Sequence, residues 1–299
     1  MPIVYKGEFI ESVEMKKITV SLIGGGDGTE IIHHRIEKGA KWSLYPQDGW
    51  VALEHITILS GILKLQLEDC EQTLHPGDSF FGSPISKTYI FTAEEDTEFL
   101  YVSSRPVFHY YSQATKKMMD LAIAIEEKDG YTVDHCSRIT QLSMMIGESM
   151  ELDSHQLLRL NVSSFLHDVG KVRVPLSILQ KPGKLSDEEW TIMKKHSTYG
   201  REILSETKIP LIMDAGLIVE QHHERFDGKG YPNGLSGGNI CIEAAIISVA
   251  DSYDAMTTDR PYKKGRTKAE ALEEIQRCSG TMYNPDVVTM FLSLKDRIN

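Results

Sequence analysis

Five of the chain's eleven histidines, His135, His167, His196, His222 and His223, lie beyond residue 130 and come with aspartates in particular settings. His167-Asp168 follows the apolar run 161–166 and leads into Val169-Gly170-Lys171. His222-His223 closes a second apolar run, 215–221, and Asp251 lies within a third, 246–251. Imidazole and carboxylate groups at the ends of buried helices are costly unless they are paired or bound to a cation. Helices of one bundle can aim such groups at a common centre. The donor set is histidine nitrogen and aspartate oxygen without thiolate, which suits iron, manganese, cobalt or zinc in a site of more than four ligands. Asp168 is the natural carboxylate to bridge two ions. Lys171 follows His167 by four residues and lies on the same face if the helix continues. With Arg260 and Lys263 it supplies local positive charge for a phosphate.

The elements that must position these groups change character along the chain. Before about residue 108 the segments are short and strand-like: 18–23, 52–59, 62–68, 87–91 and 98–102, rich in Val, Ile, Thr and aromatics. Gly24-Gly25-Gly26-Asp27-Gly28, Ser60-Gly61 and Pro76-Gly77-Asp78 separate them, a pattern that indicates a β-sandwich or barrel. The glycine run reads as a hairpin turn, since no GK[ST] follows it as a phosphate loop requires. After Arg105-Pro106 helical periodicity covers 113–128, 132–150 and 153–166. Ser186 with Glu189 and Thr267 with Glu270 form capping-box patterns, and Gly280 marks the end of a helix over 268–278. The fold expected is multidomain: a β-barrel over 1–110 followed by an all-α bundle over 111–299.

Composition narrows the partners. The chain has 299 residues, 41% hydrophobic, with a formal net charge of −11. That charge argues against an extended nucleic acid, which is bound by basic surfaces. A small anionic substrate then needs charge from a few Lys/Arg or from metal ions. No apolar run reaches the roughly 18 residues of a membrane span, and the first residues lack the pattern of a signal peptide, so a cytoplasmic location is expected. Cys70, Cys136, Cys241 and Cys278 have no CxxC spacing, so neither a zinc knuckle nor a disulfide framework is suggested.

The segment His167-Asp168-Val169-Gly170-Lys171 resembles the HDxGK signature of the HD superfamily of metal phosphohydrolases. Residues 222–232, HHERFDGKGYP, are similar to the HHExxDGxGYP signature of the HD-GYP family. Pro175, the run 179–183, His196 with Gly200, the run 250–255 and Asp259-Arg260-Pro261-Tyr262 extend the resemblance over roughly 112–294. It implies a cyclic di-GMP phosphodiesterase that yields pGpG and/or GMP with a water activated by two divalent ions, iron or manganese. The ligands it implies are His135, His167, Asp168, His196, His222, His223 and Asp251. Lys171, Arg260 and Lys263 would face the substrate phosphates, and Lys171 with Asp168 would carry the chemistry. Asp227 and Tyr231, in the GYP segment, either touch substrate or shape the pocket wall, and Asp227 is a candidate to orient His223. Members with three metals place a Glu four residues before the first ligand His; here that residue is Tyr131, with Glu126 and Asp129 off register, so two ions are expected. Alternatives are an HD phosphohydrolase for another nucleotide, such as cyclic GMP-AMP, and a non-catalytic cyclic di-GMP receptor.

In the first half, 57–61 and 74–80 resemble the turns of the cupin fold. The histidines that metal-binding cupins carry are replaced by 45–50 and 82–87, so no metal is expected there. His33, His34, His55 and His75 read as solvated or core residues. The barrel is expected either to sense an unknown small ligand, in a pocket lined by Trp42, Tyr45 and Trp50, or to mediate homodimerisation.

Overall fold

Alternating burial along short runs rich in β-branched and aromatic residues builds the first half into antiparallel sheets. In the computed structural model of the chain, residues 5, 7–15, 17–46, 50–66, 71–129, 135–258 and 264–298 are described. The strands are β1 (Glu11–Met15), β2 (Ile18–Gly26), β3 (Thr29–Ile36), β4 (Lys41–Leu44), β5 (Glu54–Ser60), β6 (Leu63–Gln66), β7 (Glu71–Leu74), β8 (Ser79–Gly82), β9 (Tyr89–Ala93) and β10 (Thr97–Ser103). They form a six-stranded sheet, β1-β2-β3-β10-β5-β8, and a four-stranded sheet, β4-β9-β6-β7. Among the described residues the two ladders do not join into a closed barrel. Ile32, Ile36, Ile56, Ile58, Leu63, Phe91 and Phe99 are buried in one shared core. The glycine run is a hairpin, as expected: Asp27 and Gly28 take φ of 50° and 88° between β2 and β3, the turn that Asp-Gly favours. Trp42 is a core side chain packed on His34, Phe91, Phe99 and Tyr101, whereas Tyr45 is exposed.

The second half is helical: α1 (Gln113–Asp129), α2 (His135–Ser149), α3 (Ser154–Leu166), α4 (Leu176–Leu179), α5 (Asp187–Lys194), α6 (His196–Glu206), α7 (Pro210–Gln221), α8 (Ile242–Thr257), α9 (Lys268–Arg277) and α10 (Pro285–Ser293). Both capping boxes read from the sequence are formed, Ser186 with Glu189 and Thr267 with Glu270. A third joins Asp153 and Gln156 at the start of α3. Helix α8 packs against α2, α3, α9 and α10. Its Ala244, Ile246, Ile247, Val249 and Ala250 are fully buried, each large one worth about 1.5–3 kcal/mol relative to exposure. A helix so enclosed offers a rigid platform for Asp251. By compactness the chain divides into Met1–Thr115 with Ile209–Leu211, and Lys116–Lys208 with Ile212–Asn299. Among the described residues no helix is long and apolar enough to cross a membrane.

Candidate metal centre

Each candidate histidine ligand stands at or next to a helix end, while Asp251 lies inside α8. His135 opens α2 and His196 opens α6, while His167 caps the end of α3 and His222-His223 follows α7. Three of these rings are tethered in the same way. Nδ1 of His167, His196 and His222 donates to the carbonyls of Ser164, Met193 and Val219, at 2.8, 2.9 and 2.6 Å. In each case the acceptor is three residues back, and a carbonyl can only accept, so the proton is fixed on Nδ1. The Nε2 lone pairs of His167, His196 and His222 then face the interior, buried and without a hydrogen-bond partner. Such tethers set ring orientation and tautomer in metal sites.

These lone pairs converge on carboxylates. Asp168 Oδ2 lies 3.2 Å from His167 Nε2, and its Oδ1 lies 3.3 Å from His196 Nε2. Asp251 Oδ1 lies 4.0 Å from Nε2 of both His135 and His167. The ligand atoms fall into two sets, Asp168, His196, His222 and His223, and His135, His167 and Asp251, each within 4.8 Å of one another. Lone pair against lone pair is repulsive unless a cation lies between, so the residues present fit a pair of divalent ions. A proton is the substitute without one. Burial alone would depress the His167 ring, but Asp168 and Asp251 outweigh it and push it up to about 9. Burial lowers His222 to about 3 and holds His196 and His223 below their ordinary value, which keeps these imidazoles neutral and ready to bind metal. Asp168 stays ionised: burial would raise it, but Lys171, His167 and His196 hold it well below the carboxylate range.

Two glycines make the convergence sterically feasible. A Cβ on Gly170 would sit 1.9 Å from the His196 carbonyl oxygen and 2.4 Å from Gly200 N. The glycine of the HDxGK run thus lets that loop lie against α6 and brings His196 to Asp168. A Cβ on Gly230 would meet Arg225 N at 2.3 Å and Glu224 Cα at 2.5 Å, so the GYP loop folds directly onto the His222-His223 turn. Glu224, buried, fixes that loop by accepting from the amides of Asn233 and Leu235 at 2.7 and 3.0 Å.

Lys171 reaches the site by a route other than helix continuation. Helix α3 stops at Leu166, and a 3-10 turn over Val169–Arg173 follows. Lys171 Nζ lies 2.8 Å from Asp168 and 2.6 Å from Asp129 at the end of α1. Asp227 does not meet His223; it makes a two-point pair with Arg225 at 2.7 and 3.0 Å and accepts from the Lys229 amide. The Tyr231 ring stands 4.9 Å from His223. Arg260, Lys263 and Tyr131 lie outside the described residues. Sequence reasoning missed Asp254, one turn beyond Asp251, which accepts from His135 Nδ1 at 2.7 Å and from Arg138 at 2.5 Å. Burial would raise its carboxyl, but these two donors hold it at about 2. Its three-residue spacing from Asp251 was the available signal. Glu126 is also buried, with both oxygens lacking a donor, and burial raises its carboxyl.

Comparison with known proteins places this geometry. A cyclic di-GMP phosphodiesterase of Thermotoga maritima is 43% identical over 173 residues, 58% of this chain and 47% of that protein. A 3'3'-cGAMP-specific phosphodiesterase of Vibrio cholerae is 39% identical over 173 residues, 58% of this chain and 33% of its own length. The chain therefore spans less than half the length of these relatives. In the first half, the cupin domain of a transcriptional regulator from Enterobacter cloacae is similar over 31% of this chain and all of that one, at 16% identity and a TM-score of 0.27. The family model described as an HD domain matches residues 97–287, more than half of the chain, and by that match the chain belongs to the HD domain family.

Proposed function

We propose that this chain is a metal-dependent phosphodiesterase that hydrolyses cyclic di-GMP to pGpG and/or GMP. The observation that carries the reading is Asp168, which turns one oxygen to each of two ligand sets. The relatives' names supply the substrate class. Asp168, His196, His222 and His223 would hold one ion, and His135, His167 and Asp251 the other, with Asp168 between them. Iron or manganese suits nitrogen and oxygen donors without thiolate. When bound, a metal pair lowers the pKa of water toward neutrality and offsets charge on the phosphate.

The chain's own groups do the rest. The carbonyl tethers at Ser164, Met193 and Val219 hold three ligand rings in one tautomer without side-chain search. Lys171, gripped by Asp129 and Asp168, is placed to donate to a phosphate oxygen as negative charge builds there. The GYP loop, anchored by Glu224, walls the site with Tyr231 and limits the water that reaches it.

The test is incubation of anaerobically purified protein, loaded with iron or manganese, with cyclic di-GMP and cyclic GMP-AMP, and resolution of products by chromatography. Release of pGpG or GMP, abolished in a His167→Ala, Asp168→Ala double variant, is expected. Protein holding two equivalents of metal that releases neither refutes the reading, and full activity in the double variant refutes the ligand set.

A further inference from the structure

Small-molecule sites are typically about 300–1,000 Å³, and one of about 420 Å³ opens beside the candidate metal centre, walled by Trp190, Lys194, His223, Lys229, Tyr231 and Ser252 among others. Its outer wall is unusual for a helix that serves only to pack. Trp190 on α5 is 47% exposed. Lys194 follows it by four residues and therefore lies on the same helix face. Neither Lys194 nor Lys229 is in an ion pair among the described residues, although acidic side chains outnumber basic ones by 43 to 32. The indole is not loose: its ring makes an edge-to-face contact with Tyr231 at 6.4 Å and 81°, and Tyr231 in turn stands 4.9 Å from the ring of His223. Aromatic rings thus run from a candidate metal ligand to an open indole, with two ammonium groups alongside.

We infer that Trp190 is the stacking platform for a purine base of the substrate, and that Lys194 and Lys229 meet its phosphates. The inference rests on the proposed function and deepens it by assigning the base subsite. An indole face offers stacking to any base, so the platform fixes where a purine nucleotide sits and leaves the choice between guanine and adenine to other walls. It also explains an exposed tryptophan next to cations: base, indole and ammonium bind one phosphate-bearing aromatic ligand together, whereas inorganic phosphate would use the lysines alone.

The test compares the metal-loaded wild-type chain with Trp190→Ala and Trp190→Phe, measuring kcat and KM for cyclic di-GMP and bound metal. Stacking is made equally in ground and transition states, so its loss should raise KM and spare kcat. A rise in KM of about tenfold or more is expected for Trp190→Ala, with metal content unchanged and most of the affinity restored by Trp190→Phe. A KM unmoved by Trp190→Ala overturns the platform, as does a variant that loses metal and kcat together, which would mark Trp190 as structural. The two readings fail separately. Wild-type protein that hydrolyses no cyclic dinucleotide overturns the function and takes the platform with it, whereas wild-type turnover with an unmoved KM overturns the platform alone.

Discussion

Asp254 offers the sharpest test of how the metal centre is built. Among the candidate ligands it bonds His135, accepting from Nδ1 at 2.7 Å and leaving Nε2 toward Asp251. Substitution by Ala removes that acceptor and releases Arg138, whose side chain is 37% exposed and can turn to water, so little of the cost is a stranded charge. Loss of such an outer partner typically weakens metal binding about 10–100-fold, which corresponds to about 1.4–2.8 kcal/mol. The loss should be selective. His196 and His222 keep their own carbonyl tethers, so only an ion at His135, His167 and Asp251 should be weakened. Dialysis against graded chelator, followed by elemental analysis, should show one equivalent leaving Asp254→Ala at about 10–100-fold lower chelator than wild type, while the second leaves as before. Asp254→Asn, which keeps a carbonyl acceptor without the charge, should fall between. Unchanged release of both equivalents from a folded Asp254→Ala protein would refute the orienting role.

Two other perturbations address the loop and the sheet half. Gly170→Ala forces a Cβ to within 1.9 Å of a backbone oxygen; overpacking of this kind costs about 1–3 kcal/mol, so calorimetry should show melting lowered by several degrees together with reduced metal content, and wild-type melting with full metal loading would contradict the packing argument. His34, stacked on Phe99 at 4.7 Å with neither ring nitrogen bonded, is lowered by burial, and secondarily by His33, to about 3. The unfolded chain takes up this proton near pH 6.5, so stability is fully present above that pH and declines as pH falls toward 3, by about 2 kcal/mol at pH 5. Tryptophan-detected denaturant unfolding of His34→Phe should lose that part of the decline between pH 7 and pH 5, and a slope identical to wild type would refute it.

What was legible in the sequence was local. The ends of α3 and α7 could be read because an apolar run stops where His-Asp or His-His begins, and the capping boxes at Ser186 and Thr267 could be read because both partners lie within one turn. Asp27-Gly28 was legible as a turn because few other pairs accept two positive φ values in succession. The rest depends on tertiary approach. Asp254 meets His135 across 119 residues, and Asp129 meets Lys171 across 42. No periodicity links such pairs. Lys171 comes to Asp168 and Asp129 through the 3-10 turn that follows α3 and not through helix continuation, the condition on which its same-face placement was read. Asp227 was a candidate to orient His223, yet the Arg225 guanidinium, two residues away, takes both its oxygens.

Under the proposed function, the charge balance of the site would reconcile an acidic chain with an anionic substrate. With neutral imidazoles, the two ligand sets contribute only the carboxylates of Asp168 and Asp251. Two divalent ions would therefore leave the centre with about two uncompensated positive charges, since the field of a bound ion outweighs its surroundings. Lys171 adds one more, which Asp129 offsets at 2.6 Å. A cyclic dinucleotide carries one negative charge on each of two phosphodiesters, so the loaded centre would match it without a basic surface. Extra aspartates among the ligands would cancel that match, and extra lysines would attract extended nucleic acid. Under the proposed function, histidine as the main ligand would be a selectivity device as well as a metal-binding one: it would hold the ions while leaving their charge for the substrate.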